Sequence, residues 1–159
     1  MLPLFSKEQL DELAKVEELL TPCNELAAAQ PQEVGDLVQV VNDLVDKIQQ
    51  LSVGQQLLVP GGWVGLQTAN AVMHIVEKTA ANTFAFVTCN SAAGLVYHPS
   101  VPTSDAKLKS KCSIRLDGIP VDRMSSPVVW TLLLSQWMKN PPSVRPLARP
   151  GFLLASAFL

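Results

Sequence analysis

The sequence predicts an α+β protein in which N-terminal helices pack on an antiparallel sheet and one more helix follows. Apolar residues recur with helical spacing before residue 54, and short β-branched and aromatic runs separated by turn formers then extend over about 57–116. A last apolar run begins at Pro127 and predicts a helix over about 127–139. At 159 residues the chain is long enough for one domain. We therefore interpret 1–54 as a helical lead-in to a sheet region at 55–140 of the same domain.

The first helix is predicted over about residues 7–21. Ser6 and Gln9 have the spacing of a capping box, in which each side chain accepts a hydrogen bond from a backbone N–H that the first turn leaves free. Apolar residues at intervals of three and four then form one face, namely Leu10, Leu13, Val16 and Leu20. This face extends to about Pro22. The segment CNELAAAQ that follows is compatible with a short helix or with a connection.

The second helix is predicted over about residues 32–51, with Pro31 at its first position, where a missing N–H has no cost. Apolar residues repeat every seven positions in two series, which are Val34, Val41 and Ile48, and Leu37, Leu44 and Leu51. Such a seam is typical of a helix that packs on its neighbour or on a sheet. It is also compatible with a self-associating helical scaffold.

The sheet is predicted from four apolar runs. AVMHIVEK, FAFVTCN and LVYH, joined by short turns, indicate an antiparallel meander, and CSIRL indicates a fourth strand that the turn DGIP ends. Alternation places Val72, His74 and Val76 on one face of the first run. The preceding run PGGW is interpreted as a sharp corner whose two glycines allow a close approach to a neighbouring strand.

The C-terminal segment 143–159, SVRPLARPGFLLASAFL, differs from the rest of the chain. Prolines and two arginines interrupt any regular pattern, and its apolar end has no periodicity. Our hypothesis is that this irregular tail is not part of the native domain, as in a truncated or alternatively spliced product.

Charge and composition exclude several classes of function. A formal net charge of −2 and a pI near 5.6 provide no basic field for nucleic acid. No apolar stretch approaches the ~20 residues that span a bilayer, and the N-terminus lacks the pattern of a secretory signal. We therefore expect a cytoplasmic protein that binds neither nucleic acid nor membrane and whose partner, if any, is another protein.

Motifs for metals and cofactors are absent from the sequence. Its three cysteines form no CxxC pair, and their odd number fits neither a disulfide framework nor a zinc site. No HExxH, Walker or GxGxxG pattern occurs. We therefore expect no metal and no cofactor, and a reducing compartment.

One part of the chain resembles a known family. The order PGGW, then TANAVMHIVEK, then FAFVTCNSAAGLVYHP, over residues 57–99, is similar to the histidine-bearing half of papain-like cysteine hydrolases. The resemblance implies a strand that opens with the general-base histidine and a next strand that ends in an Asp or Asn that orients the imidazole. Asn90 would be that orienting residue. Asn70 stands where the histidine should be, and an amide cannot accept a proton near neutral pH.

The candidate catalytic residues are Cys23, His74 and Asn90, and the candidate binding residues are Trp63, Asn70 and His98. The first hypothesis is a non-enzymatic protein-binding or regulatory module, a degenerate or truncated papain-like hydrolase. The alternative is a working cysteine hydrolase of peptide or isopeptide bonds, in which Cys23 acts with His74 or His98. That alternative requires the Cys23 Sγ atom to lie within ~4 Å of an imidazole.

Overall fold

A computed structural model describes residues 6–64, 69–105 and 107–138, except for the side chain of Val64. The described elements, in chain order, are α1 (Lys7–Ala28), α2 (Val34–Gln50), β1 (Gln56–Val64), β2 (Ala69–Ala80), β3 (Thr83–Cys89), a 3-10 turn (Leu95–Tyr97), β4 (Ser100–Pro102), β5 (Leu108–Ser110), β6 (Ser113–Pro120), α3 (Val121–Met124) and α4 (Pro127–Ser135). The predicted α+β class is confirmed, because α1 and α2 precede an antiparallel sheet and α4 follows it. The predicted tail at 143–159 lies outside the described residues.

Strands β1, β2, β3 and β6 form one antiparallel sheet in that order, and β4 pairs with β5 in a separate hairpin. The register places Val76 of β2 between Leu57 of β1 and Phe86 of β3. Since side chains alternate between the two faces of a sheet, these three residues share one face, and all three are buried. The core therefore lies on this face, and the opposite face of β2 carries Met73.

One hydrophobic core joins the sheet to α2 and α4. Trp130 of α4 is fully buried and packs edge-on against Phe86, with 6.0 Å between the ring centroids. Its Nε1 donates to the carbonyl oxygen of Met124 at 2.7 Å, which satisfies the polar atom of the indole. Leu44 and Ile48 of α2 are fully buried in the same core. Helices and sheet thus share a single core.

The heptad seam of α2 faces this core. Its buried members are Leu37, Val41, Leu44 and Ile48. Val34 at one end of the seam is exposed and Leu51 at the other is half-buried. Packing within the chain therefore uses the surface on which a self-associating scaffold would depend. Pro31 was wrongly placed at the first helical position, because Glu33 is the N-cap and Pro31 is buried in the connection before it.

α1 is longer than predicted. It passes through Pro22 and ends at Ala28. A proline inside a helix removes one backbone hydrogen bond and crowds the preceding turn, but the turn beyond it buries Cys23 and Leu26, and α1 lies along β1 there. The predicted capping box is confirmed, since Ser6 Oγ accepts from Gln9 N at 3.2 Å and Ser6 N donates to Gln9 Oε1 at 2.8 Å.

The third predicted strand, LVYH, was wrong. Leu95–Tyr97 forms a 3-10 turn that follows Gly94, whose φ is +90°. Val96 is 82 % exposed, and none of the three residues is buried, so this segment has no apolar face to pair into a sheet. The third position in the sheet belongs to β3, and its outer neighbour is β6.

The end of the fourth predicted strand was also wrong. The residues DGIP do not form a turn, because β6 continues to Pro120 across a bulge between its pairs with Phe84 and Phe86. Ile119, opposite Phe84, is buried in the core, and that burial favours continued pairing over a turn. The sheet therefore spans 56–120 rather than 57–116, and α4 ends at Ser135 rather than near 139.

Truncation of the α2 seam should test its role in the core. We expect Ile48→Ala to lower the free energy of unfolding by about 2–5 kcal/mol, because it leaves a cavity in a fully buried site. Val38→Ala is the matched control on the same helix, since Val38 is 55 % exposed, and its effect should stay within about 0.5 kcal/mol. Urea unfolding followed by circular dichroism measures both. Equal effects of the two variants would show that the seam does not pack inside the chain.

Candidate functional site

Two buried asparagines lie side by side where the resemblance places a histidine and its orienting residue. Asn70 Nδ2 donates to Asn90 Oδ1 at 3.2 Å. The turn after β3 completes the network, since Ala93 N donates to Asn70 Oδ1 at 3.2 Å, Ala92 N donates to Asn90 Oδ1 at 3.1 Å, and Asn90 Nδ2 donates to the Ala93 carbonyl oxygen at 2.7 Å. The pair therefore holds this turn against the start of β2. Neither amide can act as a general base near neutral pH.

The Pro-Gly-Gly-Trp run supports the same pair from β1. The run was predicted to form a corner, but this was wrong. It is part of β1, an edge strand, where a proline is tolerated. Gly62, with φ +146°, approaches β2 so closely that a Cβ there would collide with the carbonyl oxygen of Asn70. The half-buried Trp63 lies opposite Asn70 in the register, and a Cβ added at Gly94 would be 3.4 Å from its ring. Trp63 and the two asparagines thus form one cluster.

His74 is packed in the core near this cluster. Its Nδ1 lies 3.0 Å from Thr88 Oγ1, and its ring stacks on Phe86 with 5.1 Å between the centroids. Gly61 on the neighbouring strand makes room for the ring, because a Cβ there would be 2.7 Å from His74 Nε2. Burial lowers the pKa of His74 from 6.5 to about 4, since the charged imidazolium would be desolvated. At neutral pH the ring is therefore uncharged.

Cys23 lies on the opposite side of the sheet from His74. Its Sγ is 3.8 Å from Met73 Sδ, and Met73 and His74, as consecutive residues of β2, point to opposite faces. Burial raises the pKa of the Cys23 thiol, whereas a cysteine nucleophile needs a lowered one. The structure does not bring Cys23 and His74 together, and Cys23 packs as a small apolar side chain.

The remaining candidates lie on the loops beyond β3. His98 Nδ1 donates to the carbonyl oxygen of Lys111 at 2.7 Å and so ties the 3-10 turn to the segment before β6. Asn90 N donates to the carbonyl oxygen of Cys112 at 2.7 Å, which holds the same two loops together. Cys89 is half-buried and Cys112 is exposed, and both are free thiols like Cys23.

The apolar face predicted for α1 is exposed, and the sequence analysis did not predict this exposure. We define the α1 stripe as Leu10, Leu13, Val16 and Leu20, whose side chains are 52, 51, 49 and 40 % exposed. The buried residues of α1 are Cys23 and Leu26. At 100° per residue the stripe is rotated by roughly a quarter turn from these two. The residues of α1 that are buried and those that are exposed therefore lie on different faces of the helix.

The surroundings of the α1 stripe are acidic. Lys7–Ala28 contains six acidic and two basic residues, a formal charge of −4. One of the two lysines, Lys15, is paired with Glu12 at 2.7 Å. Glu8, Gln9 and Glu12 lie next to Leu13 and Val16 of the stripe. The stripe therefore combines apolar contact area with a negative rim.

Comparison of the chain with protein-family models, with curated proteins and with solved structures finds no match. Across 6–64, 69–105 and 107–138, no group of three or more His, Cys, Asp and Glu side chains is placed to hold a metal ion. Among the helices in these ranges, none has the length and apolarity needed to cross a membrane.

Acidification should destabilise the protein through His74. Its pKa is about 4 in the folded state and 6.5 in an unperturbed histidine, so the unfolded chain takes up the proton first, and stability present above pH 6.5 is lost as the pH falls towards 4. Between pH 7 and 4.5 we expect a loss of about 2 kcal/mol from this group. The variant His74→Asn has no titrating group at this position, so its free energy of unfolding should fall by about 2 kcal/mol less than that of the unaltered protein over this range. Urea unfolding at each pH measures both proteins. Parallel pH profiles of the two proteins would contradict this assignment.

The order of cysteine alkylation should follow burial and thiol pKa. We expect iodoacetamide near neutral pH to modify the exposed Cys112 first and Cys23 last, at least about tenfold more slowly, because the thiolate is the reacting form. Peptide mapping by mass spectrometry measures each rate, and Cys112→Ser provides a control for assignment. Preferential modification of Cys23 would instead support the hydrolase hypothesis.

Proposed function

We propose that this chain is a non-enzymatic α+β module that binds or regulates another protein through the α1 stripe. The observation that carries the proposal is the exposure of four apolar side chains on one face of a helix whose buried residues, Cys23 and Leu26, lie nearer its C-terminus. A contiguous apolar patch with a polar rim is typical of a protein interaction site. The module's partner supplies an apolar surface that covers the stripe.

The chemistry of the stripe defines the kind of partner. Apolar residues at helical spacing are suited to a second amphipathic helix, which places its own apolar side chains between them. The acidic rim favours basic residues on either side of that partner's apolar face, because complementary charges speed association and exclude competitors. The proposed partner is therefore a helix with Lys or Arg flanking an apolar stripe.

The second part of the proposal is that the module is a degenerate papain-like hydrolase. The contact between Asn70 and Asn90 supports this, because it has the relation expected of a base and its orienting residue but contains no titratable group. The lowered pKa of His74 and the contact of Cys23 with Met73 support the absence of a nucleophile–base pair.

Three free cysteines are compatible with a reducing compartment, and we propose that the protein is cytoplasmic.

Two designed peptides would test the proposed binding. Both are helical and have the same apolar face, but lysines flank that face in one and glutamates in the other. We expect the basic peptide to bind the full chain at least about tenfold more tightly, as measured by fluorescence anisotropy, and its affinity to fall with salt. Leu13→Asp with Val16→Asp should abolish binding of the basic peptide.

A matched control is Val128→Asp with Leu132→Asp on α4, where both side chains are exposed but lie outside the stripe. These changes should leave peptide affinity unaltered, and circular dichroism should show that every variant is folded. Equal affinity for both peptides, or binding that survives the stripe substitutions, would overturn the proposed surface. Hydrolysis of peptide or isopeptide substrates that Cys23→Ala abolishes would overturn the non-enzymatic assignment.

A further inference from the structure

We propose that the C-terminal segment of this chain, residues 139–159, docks on the α1 stripe and competes there with the partner. This inference rests on the proposed function, because it assigns an intramolecular occupant to the same surface. The segment lies outside the described residues. Its sequence, the charge of α1 and the place where the described chain ends support docking, which would make residues 143–159 part of the native protein and so replaces the hypothesis that they are foreign to it.

The two surfaces are complementary in charge and apolarity. Residues 139–159 contain three basic residues, Lys139, Arg145 and Arg149, and no acidic ones. Their last eight residues, FLLASAFL, are apolar apart from one serine. α1 carries a formal charge of −4 and four exposed apolar side chains. The segment therefore has the chemistry proposed for the partner, namely apolar side chains accompanied by positive charge.

The described chain ends beside α1. Gln30, two residues after the end of α1, donates from Nε2 to the carbonyl oxygen of Trp137 at 2.7 Å. From Met138 to Phe152 the chain can extend to about 46 Å. The distance along α1 from Ala28 to Leu10 is about 27 Å at 1.5 Å per residue. The apolar end of the segment can therefore reach the whole α1 stripe without any rearrangement of the core.

A tethered segment has an advantage over a second copy of the chain. A short linker holds its ends at an effective concentration on the order of millimolar, far above that of a separate molecule in dilute solution. Two α1 helices that met along their stripes would also bring together two acidic rims, and like charges across such a contact are unfavourable. The intramolecular occupant therefore fits the stripe better than a second α1.

The consequence for binding follows from competition. A partner reaches the stripe only in the fraction of molecules in which the segment is released, so its apparent affinity is reduced by that fraction. Changes that weaken the segment should raise partner affinity without touching the stripe. The segment thus acts as a regulatory element.

Amide hydrogen exchange of the full chain, read over residues 7–20 by mass spectrometry, tests this docking. We expect exchange there to be at least about fivefold faster in Phe152→Ser with Leu154→Ser, and in Arg145→Glu with Arg149→Glu, than in the unaltered chain. Ser143→Ala with Ser156→Ala is the matched control in the same segment and should exchange like the unaltered chain. The same rates in all proteins would overturn the proposal.

Two further readouts separate the possible outcomes. Protection that appears only as concentration rises, with a dimeric mass by light scattering, would assign the stripe to a second copy and overturn docking in cis. The basic peptide should bind the two segment variants at least about fivefold more tightly than the unaltered chain, and equal affinity would also count against the segment. If the peptide binds none of these proteins, the proposed function fails, while hydrogen exchange still decides whether the segment covers α1.

Discussion

A cluster of three rings, with Phe86 at its centre, connects most of this structure. Phe86 of β3 stacks on His74 of β2 and meets the edge of Trp130 of α4. Aromatic pairs of this kind contribute beyond their buried area, and here they join the C-terminal helix to the centre of the sheet. The position of α4, and with it the burial of α2 that α4 contacts, depends on this stack. The stack also keeps an imidazole where a charge would be costly.

This environment explains why the candidate site is rich in polar atoms but poor in reactivity. The asparagine pair satisfies its hydrogen bonds within itself and with the turn at Ala92 and Ala93. Buried polar networks that are fully satisfied make a structure more rigid. The histidine and the cysteine each have the shift in pKa that burial alone produces, without a charged partner. The arrangement stabilises loops rather than moving protons.

Prediction from the sequence succeeded where a periodic pattern and burial agreed. The α2 seam shows its buried face directly in the sequence, the face predicted to carry His74 and Val76 is buried, and the capping box at Ser6 depends on only four residues. The sequence failed where tertiary contacts override a local preference. Pro22 lies inside a helix because the next turn is buried, and the residues DGIP remain in β6 because Ile119 enters the core.

The functional candidates followed the same division. The resemblance related Asn70 to Asn90 as base position and orienting residue, and their side chains are in contact. The α1 stripe could not be recognised as exposed, because an apolar face predicts contact but does not name what covers it. Likewise, the separation of Cys23 from His74 depends on which face of the sheet α1 covers, and no local pattern contains that information.

The edges of the four-stranded sheet have a consequence for how this protein can associate. β1 is one edge, and Pro60 leaves it one backbone donor short, while α1 lies along it. β6 is the other edge, and its bulge near Gly118 increases the local twist. Both devices hinder the addition of a foreign strand and so protect against edge-to-edge aggregation. Association of this fold is thereby directed away from backbone pairing and towards contacts between side chains.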